Sequence, residues 1–97
     1  MTTIRLAPEI LLDFERILAH WRDHEIQDLD QRMAEILAAI DVLQTSPQIG
    51  RLVRDDMREL IIGKGSRGYV ALYHFMESLD IVLVLALRSQ KEAGYQR

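Results

Sequence analysis

Residues 81–87 read Ile-Val-Leu-Val-Leu-Ala-Leu, a run with no polar side chain. A short apolar run rich in β-branched residues reads as a strand covered on both faces. It is far too short to cross a bilayer, which takes about 20 apolar residues. A covered strand is central, so it requires neighbours. Two candidates precede it, residues 58–62 and 69–76, joined to each other and to it by short polar connections. That arrangement predicts a three-stranded antiparallel meander. The N-terminal half then serves as cover for one face of the sheet.

That half is helical in pattern. Thr3–Leu6 is a candidate short edge strand, and Pro8 stands where a helix can begin without losing a hydrogen bond. Ile10, Phe14, Ile17, Leu18 and Trp21 recur at spacings of three and four, which predicts an amphipathic helix ending near Asp23 or His24. Leu29, Met33, Ile36, Leu37, Ile40 and Leu43 form a second stripe, closed by Thr45-Ser46-Pro47 because the residue before proline avoids the helical region. The tight connection makes the two helices an antiparallel hairpin. Residues 47–57 read as a loop. The expectation is an α+β fold in one domain spanning all 97 residues.

The strand half is also the cationic half. Residues 1–50 carry a net charge of −5 and residues 51–97 carry +2, within a total of −3. This excess is small for a protein that lives on phosphate contacts. With no cysteine, the chain has neither disulfides nor thiolate metal ligands, which fits a cytoplasmic protein. Its first residues lack the basic and long apolar regions of a secretory signal.

Gly63-Lys64-Gly65-Ser66-Arg67-Gly68 matches G-x-G-x-x-G, but a dinucleotide fingerprint opens a helix and here a strand follows. It reads as a glycine-rich hairpin loop carrying Lys64 and Arg67. His20 and His24 share a helix face, yet two imidazoles without a third ligand do not make a metal site. No metal or cofactor is expected. Arg58, Arg67, Arg88, Lys91 and Tyr95 form the candidate constellation, a cationic set at strand ends able to fork onto phosphates or carboxylates. Arg58 and Arg88 meet only if the 69–76 strand does not separate them. Tyr69, Tyr73 and Phe75 alternate along one strand and offer an aromatic surface to a partner, beside Lys64 and Arg67.

Arg58-Glu59-Leu60, Gly68-Tyr69-Val70-Ala71-Leu72-Tyr73 and the ending from Leu83 to Tyr95 resemble, in order, the strand motifs of RelE/ParE-type toxins of bacterial toxin–antitoxin systems. Gly50-Arg51 also falls where that family often has Gly-Arg. The resemblance implies a curved antiparallel sheet with the helical hairpin on one face. It implies a small toxin neutralised by a cognate antitoxin, whose tail lies as a strand on a sheet edge or as a helix in a groove. RelE-like members cleave mRNA in the ribosome with basic side chains and a Tyr or His, which here points to Arg58, Arg88, Lys91 and Tyr95. ParE-like members poison DNA gyrase. Ser89 stands where the family usually has His, which removes a proton-transfer group and favours the ParE-like branch. The competing reading is a small metal- or ligand-binding domain outside the toxin class.

Overall fold

The computed structural model describes residues 1–64 and 68–95. The elements run β1 (Thr3–Leu6), α1 (Ile10–Asp23), α2 (Leu29–Asp41), β2 (Arg51–Arg54), β3 (Met57–Ile62), β4 (Tyr69–Met76) and β5 (Ile81–Ser89). The apolar stripes do form two helices. The second continues as a 3₁₀ turn over Val42–Gln44, which brings Leu43 into the core. Between the helices, Glu25 adopts a positive φ of 53°. The Ile26 N–H then reaches back to the Trp21 carbonyl, which closes α1 without glycine.

The sheet has the order β1-β5-β4-β3-β2. As expected, β3, β4 and β5 are an antiparallel meander and β5 is interior. Its outer neighbour is β1, which pairs with it in parallel from Thr3 opposite Ile81 to Leu6 opposite Val84. Residues 47–57 are not simply a loop. Arg51–Arg54 pairs antiparallel with β3 through a two-residue turn, with Asp55 and Asp56 at φ of 49° and 62°. Two positive φ values are the pattern of a type I′ turn, whose twist matches a hairpin. Aspartate tolerates this region better than most residues, but Asp-Asp is a weaker sequence signal than Asn-Gly.

Both helices cover one face of the sheet. Ile10, Ile17, Trp21, Ile36, Ile40 and Leu43 pack against Ile62, Tyr69, Ala71, Tyr73, Val82, Val84 and Leu87. Residues of β5 that face the helices are fully buried, while Ile81, Leu83 and Leu85 are half-buried. The strand is therefore covered less evenly than its apolar run predicts.

One irregularity in β5 decides where its far end points. Tyr73 pairs with Val84 and Leu72 with Ala86, so Leu85 is the extra residue of a β-bulge. Side chains alternate between faces along a strand, and one inserted residue reverses the alternation beyond it. Val82 and Val84 face the helices before the bulge. After it Leu87 faces them, and Ala86 and Arg88 turn to the opposite face. Buried Asp13 on α1 holds this geometry, accepting the Leu87 N–H at 2.9 Å and the Arg16 guanidinium at 2.9 Å.

A second close approach ties β2 to the core. The Gly50 N–H donates to the Tyr73 hydroxyl at 2.8 Å, and a Cβ on Gly50 would lie 2.6 Å from that oxygen. Tyr73 is buried and Glu59 backbone closes the other side, so neither neighbour yields easily. We therefore expect Gly50→Ala to destabilise the fold by about 1–3 kcal/mol, the usual range for overpacking. Urea denaturation measures it directly.

Candidate functional site

The polar centre of the helix-free face is Glu59, in the middle of β3. It stands opposite Arg51 on β2 and, across Leu72, in line with Ala86 on β5. The Arg51 guanidinium donates to Oε1 at 2.7 Å and the Tyr95 hydroxyl donates to Oε2 at 2.7 Å. Arg88 brings Nη2 to 3.9 Å from Oε2, with its guanidinium 5.2 Å from the Tyr95 ring centre. A cavity of about 270 Å³ opens beside this group, lined also by Val53, Arg54, Leu72 and Ala93.

The chain after β5 lies across this corner and is secured twice. Arg16 forks onto the Glu92 carboxylate with two bonds of 3.0 Å, and it also donates to the Leu87 carbonyl. Arg88 donates Nη1 to the backbone carbonyls of Ser89 and Glu92 at 3.2 and 3.1 Å. Its Nε is buried without a hydrogen-bond partner.

These contacts set the charge states. Burial works against ionisation of Glu59, but hydrogen bonds from Arg51 and Tyr95 and the charges of Arg88 and Arg51 outweigh it, holding its pKa below the ordinary carboxylate value. Tyr95 moves the other way. Burial first, then its bond to Glu59 and that carboxylate's charge, push the phenol well above its usual value. At neutral pH Tyr95 is a protonated donor and no general base.

The sequence-derived candidates separate into different places. Arg88 and Tyr95 come together at Glu59. Lys91 is exposed and lines another groove, of about 560 Å³, with Trp21, His20, His24 and Tyr69. Arg58 does not join Arg88, because β4 lies between them. Arg58 pairs with Tyr73, while Arg88 pairs with Val70 nearer the other end of the strand. Its guanidinium instead holds the carbonyls of Gln48 and Gly50 at 3.1 and 2.8 Å, bracing the entry to β2.

The expected aromatic surface faces inward. Tyr69 and Tyr73 are buried beneath the helices and Phe75 packs against the same core. The Trp21 indole donates to the Tyr69 hydroxyl at 2.7 Å. The alternation holds along the strand, but it does not say which face meets the helices. Of the cationic residues beside that strand, Lys64 is exposed at the end of β3, and Arg67 lies outside the described residues. His20 and His24 lie with ring centres 4.1 Å apart on an exposed helix face, and no group of three or more metal-ligating side chains occurs among the described residues.

Glu59 and Glu92 were not among the sequence-derived candidates. Glu59 does sit inside the Arg-Glu-Leu motif, so the signal was present at that position. Nothing in the spacing shows that it receives groups from β2, β5 and the following segment.

The unfolding free energies of three variants check these placements. Arg58→Ala should cost about 1.5–3 kcal/mol, since its charged donor serves two carbonyls, whereas Lys91→Ala should leave the unfolding free energy within about 0.5 kcal/mol of the original. Tyr95→Phe should cost about 1–2 kcal/mol at neutral pH. Because the pKa of Glu59 is depressed on folding, its stabilisation is present above the ordinary carboxylate value and is lost as pH falls through the folded-state pKa. The gap between wild type and Tyr95→Phe should therefore narrow in acid.

The chain matches the family described as the ParE toxin of the type II toxin–antitoxin system, parDE, over residues 4–94. Among solved structures it is similar to a chain of the intact E. coli RelBE toxin–antitoxin complex, with a TM-score of 0.59 and 15% identity over 95% of this chain and 100% of that one. At that identity the likeness speaks for the fold. No curated protein matches the chain significantly. The family match covers nearly every described element, and the chain belongs to the ParE toxin family of type II toxin–antitoxin systems.

Proposed function

We propose that the chain is a ParE-like toxin that inhibits DNA gyrase and is neutralised by a cognate antitoxin. The observation that carries the gyrase reading over mRNA cleavage is the closed state of the Glu59 corner. Cleavage of RNA by proton transfer needs a base able to take a proton near neutral pH. Tyr95 donates its proton to Glu59 and is pushed further from ionisation by it. Arg88 faces that same carboxylate, so its charge is partly answered within the protein. Ser89, where the resembling toxins usually carry His, accepts a backbone N–H from Lys91 and adds no titrating group. Arg88 and Tyr95 then act as a recognition surface for a protein target.

The antitoxin's footing is not the Tyr69, Tyr73 and Phe75 row, which the helices already cover. Lys64 and the exposed edge of β2 remain available to an acidic tail. No helix among the described residues is long and apolar enough to cross a membrane.

Induced expression separates the readings. Growth arrest with double-strand breaks and an SOS response, reversed by co-expression of a small neighbouring open reading frame, is the expected result. Purified protein should inhibit supercoiling by gyrase and leave ribosome-bound mRNA intact. Ribosome-dependent cuts in mRNA would establish the RelE-like activity instead. Harmless expression without any partner would remove the toxin reading.

A further inference from the structure

We infer that Glu59 is a positioning residue, which fixes Tyr95 and thereby pins the segment after β5 over Arg88 in the form that meets the target. The inference rests on the reading of this corner as the toxin's working surface. Glu59 is 8% exposed, in the middle of β3 beside the edge strand β2, and is not part of the apolar core. A carboxylate is expensive to bury unless its partners come with it. Here the partners come from three separate parts of the chain: Arg51 from β2, Arg88 from β5 and Tyr95 from the following segment. β4 contributes apolar Leu72 between them, and Arg54 lines the adjoining cavity. His74, the other titratable group on this face of β4, pairs with Met57 farther along β3.

Removing this carboxylate would leave little to hold Tyr95. Tyr95 is half-buried; its hydroxyl donates to Glu59, and its other described polar partner is Arg88, itself drawn to the same carboxylate. The segment's other anchors lie upstream, at Glu92, where Arg16 and Arg88 hold side chain and backbone. Losing Glu59 therefore frees the Gly94–Tyr95 end while Glu92 stays in place. Arg88 loses both its counter-charge and the ring stacked beside it. The depressed pKa of Glu59 agrees with this arrangement, because each of its partners favours the ionised form.

Fluorotyrosine labelling tests the inference, since the chain has three tyrosines and two of them, Tyr69 and Tyr73, are buried under the helices as internal controls. In the intact protein the ¹⁹F resonance of Tyr95 should titrate in acid, below the ordinary carboxylate range, while the other two stay still. In Glu59→Gln that titration should vanish. The Tyr95 resonance should already sit near its solvent-exposed position at neutral pH, and several-fold more inducer should be needed to arrest growth. A Tyr95 resonance unchanged by Glu59→Gln would overturn the inference, as would a displaced Tyr95 with undiminished growth arrest. If wild-type protein does not arrest growth, the toxin reading fails separately, and the fluorine spectra still decide whether Glu59 positions Tyr95. If Glu59→Gln does not fold, Tyr95→Phe breaks the same bond from the other side. Loss in that variant of the shift that the ring at position 95 imposes on the Arg88 side-chain protons would support the inference, and an unchanged shift would refute it.

Discussion

The hydrogen bond from the Leu87 N–H to the buried carboxylate of Asp13 is the constraint on which the rest of this structure depends. A regular β5 would pair Tyr73 and Leu72 with consecutive residues, and the alternation set by Val82 and Val84 would send Arg88 toward the helices. The bulge at Leu85 shifts that alternation by one. Asp13 offers the strand beyond the bulge an acceptor from outside the sheet, so the irregular stretch is satisfied in the core rather than left short of partners. Arg16, one turn along α1, supplies the counter-charge that a buried carboxylate requires, and its other bonds reach Leu87 and Glu92. One helix thus fixes both the strand irregularity and the segment that follows it.

Once Arg88 is turned outward, the far face of the sheet becomes a polar corner instead of a plain apolar surface. Glu59 collects donors from β2 and the segment after β5, and its carboxylate keeps Tyr95 protonated. A catalytic centre would need groups held near their switching point. Here burial and then the bond to Glu59 drive the phenol up, while hydrogen bonds and neighbouring cations outweigh burial and drive the acid down, both away from neutrality. That supports the proposed reading of this corner as a surface that recognises a partner over one that moves protons.

Much of the fold was legible because periodicity and punctuation agreed. The stripes from Ile10 to Trp21 and from Leu29 to Leu43 have the spacing of helices, and Thr45-Ser46-Pro47 ends the second. The meander followed from the apolar run at residues 81–87 and its two predecessors. β2 was missed because Asp55-Asp56 lacks glycine, although both residues adopt the turn's positive φ. The face taken by Tyr69 and Tyr73 was missed for a different reason. Both parities of that strand are apolar, so alternation cannot tell which one the helices cover. The same ambiguity hides the bulge, since Ile81 to Leu87 has no polar residue to mark a change of phase. Arg88 and Tyr95 were identified from the ending motif, but their meeting point at Glu59 depends on sheet order and bulge together. Arg58 went the other way: its neighbours in sequence suggested the site, and its register put it against the Gln48 and Gly50 carbonyls.

The central claim is that Asp13, on the opposite side of the sheet, aims Arg88 at Tyr95. The direct measurement is the proton spectrum of the Arg88 side chain, which the Tyr95 ring shifts from a centre 5.2 Å away, compared between wild type and Asp13→Ala. The Trp21 indole N–H, bonded to Tyr69, reports whether the core remains folded. In Asp13→Ala the ring-induced shift of Arg88 should collapse while the Trp21 signal persists. An Arg88 that keeps its shift in a folded Asp13→Ala protein would contradict the central claim, showing that the bulge stands without Asp13.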